Sequence, residues 1–376
     1  MTGPHRATAA TRLAVRNALG EIGRASPGGL VLVACSGGAD SLALAAAVAF
    51  EAPRVALSAG AVVVDHDLQE GSRAVAERAA DQCRGLGLDP VEVVTVRVGS
   101  SGSRDGTDKA NDWSGGKNAA CRSDGSRSGN SYGHDGGNGT GSGPEARARE
   151  ARYGAFEEVV DRFGAVAVLL GHTRDDQAEQ VLLGLARGSG ARSLSGMPAR
   201  RGPYVRPLLA VARATTAAAC EAAGLTAWVD PQNSDPAYGR VRARALLPVL
   251  ESELGPGAVA ALARSADLLR EDADTLDDLA KQARAELADV QMAGLRKRGI
   301  EVEALLRLPK AIRTRVWRLL AVEAGSPPGA LIACHIDSLD TLVTCWRGQG
   351  PIDLPGHVQG SRTDGRVVVA ASRQVE

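Results

Sequence analysis

Two stretches of this chain combine residue types and spacings that can do chemistry. The first is Ser36-Gly37-Gly38-Ala39-Asp40-Ser41, which follows the apolar run at 30–34 and opens the Leu- and Ala-rich stretch 42–50. A glycine turn between a buried strand and a helix lets the backbone wrap an anion, and the helix N-terminus adds unpaired N–H groups at its positive dipole end. Ser36 and Ser41 bring two hydroxyls for phosphate oxygens. Asp40 cannot attract phosphate by its own charge; its natural task is to hold a Mg²⁺ ion that bridges phosphates. A Walker A loop is excluded, because its lysine and its G-x-x-x-x-G-K-[ST] spacing are both absent.

The second stretch is His172-Thr173-Arg174-Asp175-Asp176-Gln177-Ala178-Glu179-Gln180. In a helix, offsets of zero, three, four and seven put His172, Asp175, Asp176 and Glu179 on one face. Three carboxylates on one stripe repel, so a cation must offset them: an amine substrate or Mg²⁺. A dipole-capping role needs one carboxylate in the first turn, not three along the face.

Both stretches need a sheet to bring them together. Strand patterns at GLVLVA, VALSAGAVVVD, DPVEVVTVRV and AVAVLLG alternate with helical patterns near 9–24, 42–50, 72–86 and 144–162. That alternation predicts an α/β fold with a doubly wound, mainly parallel sheet, whose ligands sit at the carboxyl ends of the strands. From about residue 215 the pattern turns helical, with acids along one side of 259–288 and a hairpin near 353–371. The expected division is therefore 1–215 and a mainly helical 216–376. Between them in composition stands 99–143, with 13 Gly, 9 Ser and no Val, Ile, Leu, Met or Phe. With nothing to bury, it is expected to be a disordered insertion.

Composition limits the partners. With 44 basic and 44 acidic residues, the chain has no uniformly basic coat, but it has room for a basic patch. Six arginines (187, 192, 200, 201, 206 and 213) fall within 187–213 without an acid, and Arg240, Arg242 and Arg244 follow. Such a patch can neutralise RNA phosphates without reading sequence. Six scattered cysteines, none spaced C-x-x-C, and an N-terminus without an apolar core fit a cytoplasmic protein. No apolar run is long enough to span a membrane.

S-G-G-x-D-S after a buried strand resembles the PP-loop of ATP pyrophosphatases, which cleave ATP between the α and β phosphates. The remaining motifs resemble, in order, those of the bacterial tRNA(Ile)-lysidine synthetases: Val64-Asp65-His66, Ala148-Arg149-Glu150-Ala151-Arg152-Tyr153, the His172 to Glu179 stripe, Arg206-Pro207-Leu208-Leu209 and Asp230-Pro231-Gln232-Asn233. Two positions depart from the family pattern: Gln180 stands where Thr is usual, and Val241 where Asn is frequent.

The resemblance implies ATP and Mg²⁺ as cofactors, and free L-lysine and the CAU-anticodon isoleucine tRNA as partners, with a homodimer left open. It implies ATP binding by Ser36 to Ser41 with Asp65 and His66, and metal at Asp40 and Asp175. Catalytic roles fall to Asp40, His172, Asp175, Asp176 and Glu179. Lysine is expected on Asp176, Glu179 and Arg149, and RNA on Arg152, Arg187, Arg192, Arg206, Arg240, Arg242 and Arg244. A tRNA thiolase of the same superfamily is disfavoured, because the chain lacks paired cysteines.

Overall fold

The computed structural model describes residues 3–65, 71–96, 144–287, 290–291 and 298–372. The expected insertion at 99–143 and His66 lie outside the described residues. The first part of the chain runs α1 (Arg6–Ala25), β1 (Leu30–Ala34), α2 (Ala39–Glu51), β2 (Ser58–Asp65), α3 (Ser72–Gly85), β3 (Val91–Thr95), α4 (Pro144–Phe163) and β4 (Ala167–Leu170). It continues through α5 (Arg174–Ala186), α6 (Ala191–Leu194), β5 (Arg200–Arg201), β6 (Tyr204–Val205) and α7 (Arg213–Ala222).

The six strands form one sheet in the order β3-β2-β1-β4-β6-β5, parallel except for the β5–β6 pair. Val31, Leu32 and Val33 of β1 are fully buried, which explains why this strand reads as an unbroken apolar run: helices cover both faces. One face packs against α1, α2, α3 and α7, through residues such as Leu19, Leu44, Ala79 and Ala219. The other packs against α4, through Phe156 and Val159. The first core therefore takes in α7 and runs past the boundary expected at 215.

Strand order fixes the site. From β1 the chain steps to β2 and β3, then returns through α4 to β4 on the other side of β1. The loops after β1 and β4 part at that reversal, and a crevice opens where they do. Gly171 sets how closely they approach: a Cβ there would lie 3.2 Å from the Ser41 amide nitrogen and Cα.

The rest of the chain holds α8 (Gly239–Glu253), α9 (Ala258–Glu286), β7 (Val290–Gln291), β8 (Arg298–Glu301), α10 (Val302–Leu306), α11 (Lys310–Glu323), α12 (Ala333–Thr344), β9 (Ile352–Leu354), β10 (Val358–Thr363) and β11 (Arg366–Ala371). Helices make up most of this part, and it also contains a small antiparallel sheet of which only the hairpin was expected. The hairpin β10–β11 is present, but it is the centre of a five-stranded antiparallel sheet, ordered β7-β8-β11-β10-β9. Strands of two to four residues such as β7, β8 and β9 are too short to show a period of two in sequence.

Helix α9 ties the two parts together, packing on α5, α6 and α11. Its fully buried Ala266, Ala273 and Ala280 recur every seventh residue and allow close approach. Its acids are partly consumed in pairing: Asp274 and Asp277 bind Arg192, and Asp277 also binds Arg315. Among the described residues, no single helix is long and apolar enough to cross a membrane.

Gly171→Ala should force the Ser41 backbone to move by a few tenths of an ångström, at a cost of about 1–3 kcal/mol for overpacking. Urea unfolding measures it. An unchanged midpoint would show that β4 and α2 are not in the contact described.

Candidate active site

The loop after β1 is shaped by two glycines and tied by one serine. Gly37 has φ +79°, in the left-handed region, and a Cβ there would sit 3.2 Å from Ala79 Cβ of α3. Gly38 caps α2 in extended conformation. Ser41 Oγ donates to the Gly38 carbonyl at 2.9 Å and accepts from the Ser36 amide at 3.2 Å. Ser36 Oγ lies 3.3 Å from the same hydroxyl. The Trp228 amide donates to the Gly37 carbonyl at 2.9 Å, so the segment after α7 clamps the loop from outside. The first bond of the α2 ladder is Leu42 N–H to Gly38 O, which leaves the amides of Ala39, Asp40 and Ser41 ahead of it. A cradle of left-handed glycine, free helix-end amides and a serine hydroxyl suits a polyphosphate.

The helix of the acidic stripe begins at Arg174, two residues after His172. Thr173 caps α5, so His172 precedes the helix and does not lie on its face. Asp176 reaches back from the first turn: its Oδ2 accepts from the Thr173 amide at 2.7 Å and hydroxyl at 2.8 Å. The other three members do share a side, and what faces them is Arg213, the first residue of α7. Asp175 Oδ2 accepts from the Arg213 amide at 2.8 Å. Asp176 Oδ1 accepts from Arg213 Nη2 at 2.7 Å, and Glu179 Oε1 from Nη1 at 3.0 Å. Arg213 Nε lies 3.6 Å from Asp40 Oδ2 in the loop. Glu179, only 2% exposed, also accepts from Arg244 Nε at 2.8 Å.

The offsetting cation in this structure is thus internal, supplied by Arg213 and Arg244. Buried Thr216, one turn along α7, completes the junction by donating its hydroxyl to Asp40 Oδ1.

These contacts set the charges. Burial raises the Asp176 pKa, but Arg213 and the Thr173 amide and hydroxyl outweigh it and hold the carboxyl below its ordinary value. Asp40 is shifted the other way. Burial, with the negative charges of Asp176 and Asp175, raises its pKa despite the Thr216 hydroxyl and Arg213. Asp40 is thus a partly buried carboxylate with two charged neighbours, and a cation bound beside it would favour its ionised form.

His172 is the opposite case. Burial brings its pKa down to about 4, and Arg206, Arg240 and Arg149 add to that against the pull of Asp176. Its imidazole is neutral at physiological pH, and its buried Nδ1 has no hydrogen-bond partner among the described residues.

The arginines expected on RNA divide among different tasks. Arg244 belongs to the carboxylate cluster. Arg192 binds Asp274 at 2.7 Å and Asp277 at 2.5 Å on α9. Arg206 is 5% exposed and donates to the Pro198 carbonyl at 2.9 Å. Arg242 braces its own approach loop through the carbonyls of Pro236 and Ala237. Of these four, Arg206 is buried and Arg244 half-buried, while Arg192 and Arg242 keep exposed side chains beside their partners. Arg187 on the loop after α5 and Arg152 on α4 are exposed.

Arg149, expected near the substrate amine, lies over the Tyr153 ring at 5.2 Å. It joins Arg206 and Arg240 on the His172 side of the site. Asp65 is buried at the end of β2.

Sequence reasoning missed Arg213 as a counter-ion, and with it Thr216, Thr173, Gly171 and Trp228. The Thr173-x-x-Asp176 capping signature was readable. The Arg213 contacts were not, because at least 34 residues separate it from each partner along the chain.

The PP-loop domain family matches residues 12–111 and 127–250. Over its whole length the chain is similar to curated tRNA(Ile)-lysidine synthases. It is 50% identical to that of Thermobifida fusca (strain YX), covering 99% of this chain and 100% of the relative. With that of Streptomyces coelicolor (strain ATCC BAA-471 / A3(2) / M145) it shares 48% identity over 98% and 99%. The enzyme of Mycobacterium tuberculosis (strain ATCC 25618 / H37Rv) is 42% identical over 88% of this chain and 86% of the relative.

The neutral state of His172 can be read by NMR. Its ring resonances should stay flat from pH 8 to 5 and move only towards about pH 4. The unfolded imidazole takes up its proton near 6.5, so acidification between those two values should favour the unfolded chain. A titration midpoint near 6.5 would contradict the buried, arginine-flanked setting.

Proposed function

The chain belongs to the tRNA(Ile)-lysidine synthases, which are ATP-dependent ligases, and on that premise we propose how its own residues divide the reaction. The substrates are ATP, free lysine and the isoleucine tRNA with a CAU anticodon. The O2 of the wobble cytidine attacks the α-phosphate of ATP, and pyrophosphate leaves. The ε-amine of lysine then attacks C2; a carbon–nitrogen bond forms, the carbon–oxygen bond breaks, and AMP departs.

One observation carries this reading. A single guanidinium touches Asp40 of the phosphate loop and Asp176 and Glu179 of the stripe, so both half-reactions fall within one side chain's reach.

The loop from Ser36 to Ser41 holds the triphosphate by amides and hydroxyls. Magnesium fits Asp40, a partly buried carboxylate of the phosphate loop with Asp175 and Asp176 as charged neighbours. Among the described residues no cluster of three or more His, Cys, Asp or Glu is arranged for a metal. Asp40, with Asp175 beside it, would therefore share the ion with phosphate oxygens, as is usual for magnesium. Bound there, the ion would neutralise charge as pyrophosphate leaves.

Asp176 and Glu179 hold the lysine ammonium. Asp40, Asp175 and His172 are the groups beside that subsite to which the amine can pass the proton it must lose before attack. The cytidine must leave its stack to reach these groups. It enters on the side where Arg149, Arg206 and Arg240 make the potential positive. Arg152 and Arg187 extend that attraction to flanking phosphates, and residues 216–376 carry much of the remaining tRNA contact. A reaction of tRNA with free lysine and ATP places the protein in the cytoplasm.

Incubation with labelled lysine, ATP and a CAU-anticodon isoleucine tRNA transcript should give lysine-labelled RNA. Labelling should vanish without ATP or with uridine at the wobble position. Asp40→Ala should abolish pyrophosphate release, and wild-type release in that variant would sink the loop assignment.

A further inference from the structure

Arg213 stands between the two substrate sites. Its guanidinium lies 2.7 Å from Asp176, 3.0 Å from Glu179 and 3.6 Å from Asp40. Its position is not accidental to a flexible chain. The backbone is fixed at the head of α7 by Asp175 on its amide, and its carbonyl lies 2.8 Å from the Thr216 hydroxyl oxygen. Only the side chain beyond Cα is free to move.

The carboxylates that would take the lysine ammonium are already engaged. Asp176 has Thr173 on one oxygen and Arg213 on the other. Glu179 is buried under Arg213 and Arg244. Arg213 thus fills the place of the substrate amine with a cation of the protein's own. On the loop side, the guanidinium is close to where the triphosphate would bind, and a nucleotide there brings several negative charges against its Nε edge. An arginine prefers phosphate oxygens, to which its planar fork can donate in pairs, and the strength of that attraction grows as water is excluded.

We propose that Arg213 is a positioning residue that orders substrate entry. Without nucleotide it closes the amine subsite by pairing with Asp176 and Glu179; with nucleotide in the loop it turns to the phosphates and releases those carboxylates to the lysine ammonium. The proposal rests on Asp176 and Glu179 forming the amine subsite. Charge bookkeeping agrees with it: among the described residues, Arg213 and Arg244 are the cations paired with Asp40, Asp176 and Glu179, so a departing guanidinium leaves a strong demand for one cation. The arrangement ties lysine affinity to nucleotide occupancy, and by linkage nucleotide affinity to lysine.

Equilibrium dialysis of labelled lysine, with and without Mg²⁺ and α,β-methylene-ATP, tests it without relying on turnover. The nucleotide analogue should strengthen lysine binding to the wild-type chain about tenfold or more, within the usual range of coupling between sites. In Arg213→Ala the coupling should fall to within about twofold, and lysine without nucleotide should bind more tightly than it does to the wild type. Arg213→Lys keeps the charge but cannot bridge three carboxylates, and should show coupling between the two. If Arg213→Ala fails to fold by thermal unfolding, Arg213→Lys decides.

Wild-type coupling in the foldable variants, or lysine binding to the wild type that ignores the nucleotide, overturns the ordering role. Asp176→Asn and Glu179→Gln separate this from the underlying assignment. If they retain lysine binding, the amine subsite lies elsewhere and both readings fall. If they lose it while Arg213 variants couple normally, only the ordering falls.

Discussion

Four carboxylates crowd the carboxyl edge of one parallel sheet, and Arg213 is what lets them share that space. Asp40 comes from the loop after β1, and Asp175, Asp176 and Glu179 from the helix after β4; all four meet this residue through its amide or its guanidinium. Unpaired, a carboxylate as buried as Glu179 would be costly to keep charged. Removing one partner from such a buried pair typically costs about 3–5 kcal/mol. The electrostatics of the loop, the stripe and α7 are therefore one problem with one solution.

The scaffold is organised around that solution. Parallel strands on either side of β1 bring the loop and α5 to the same edge, and Gly171 removes the side chain that would hold them apart. Helix α7 returns across the first core, so that Arg213 and Thr216 arrive at Asp40 from a third direction. Arg244, from the first helix beyond that core, adds the second cation. The site thus depends on α8 as well as on the sheet, and α9 fastens α5 to the C-terminal part through its alanine stripe. The opposite polarity on the two sides of the crevice follows: carboxylates and Asp40 on one, neutral His172 flanked by arginines on the other.

Much of the fold was legible because it is written in local patterns. The apolar runs at β1, β2 and β4 and the helical stretches between them fall where the sequence put them, and the β10–β11 hairpin announces itself by its valines and its Asp364-Gly365 turn. The rest of the C-terminal sheet was hidden because its edge strands are too short for a period to show. His172 was placed on the helix by spacing alone; the cap at Thr173 moved it off, since a Thr that pairs with an acid three residues on is a better helix start than a histidine.

By itself the sequence determined which residues carry charge or a hydroxyl, that a glycine loop would open a helix after a buried strand, and that the acids of the stripe would demand a cation. It could not determine which cation. Arg213, Arg192 and Arg206 read as one basic run because they are near one another along the chain, yet one serves the carboxylates, one α9 and one the core. Pairing between charges depends on distance in space and on burial, and those are fixed only when α7, α8 and α9 pack against the sheet.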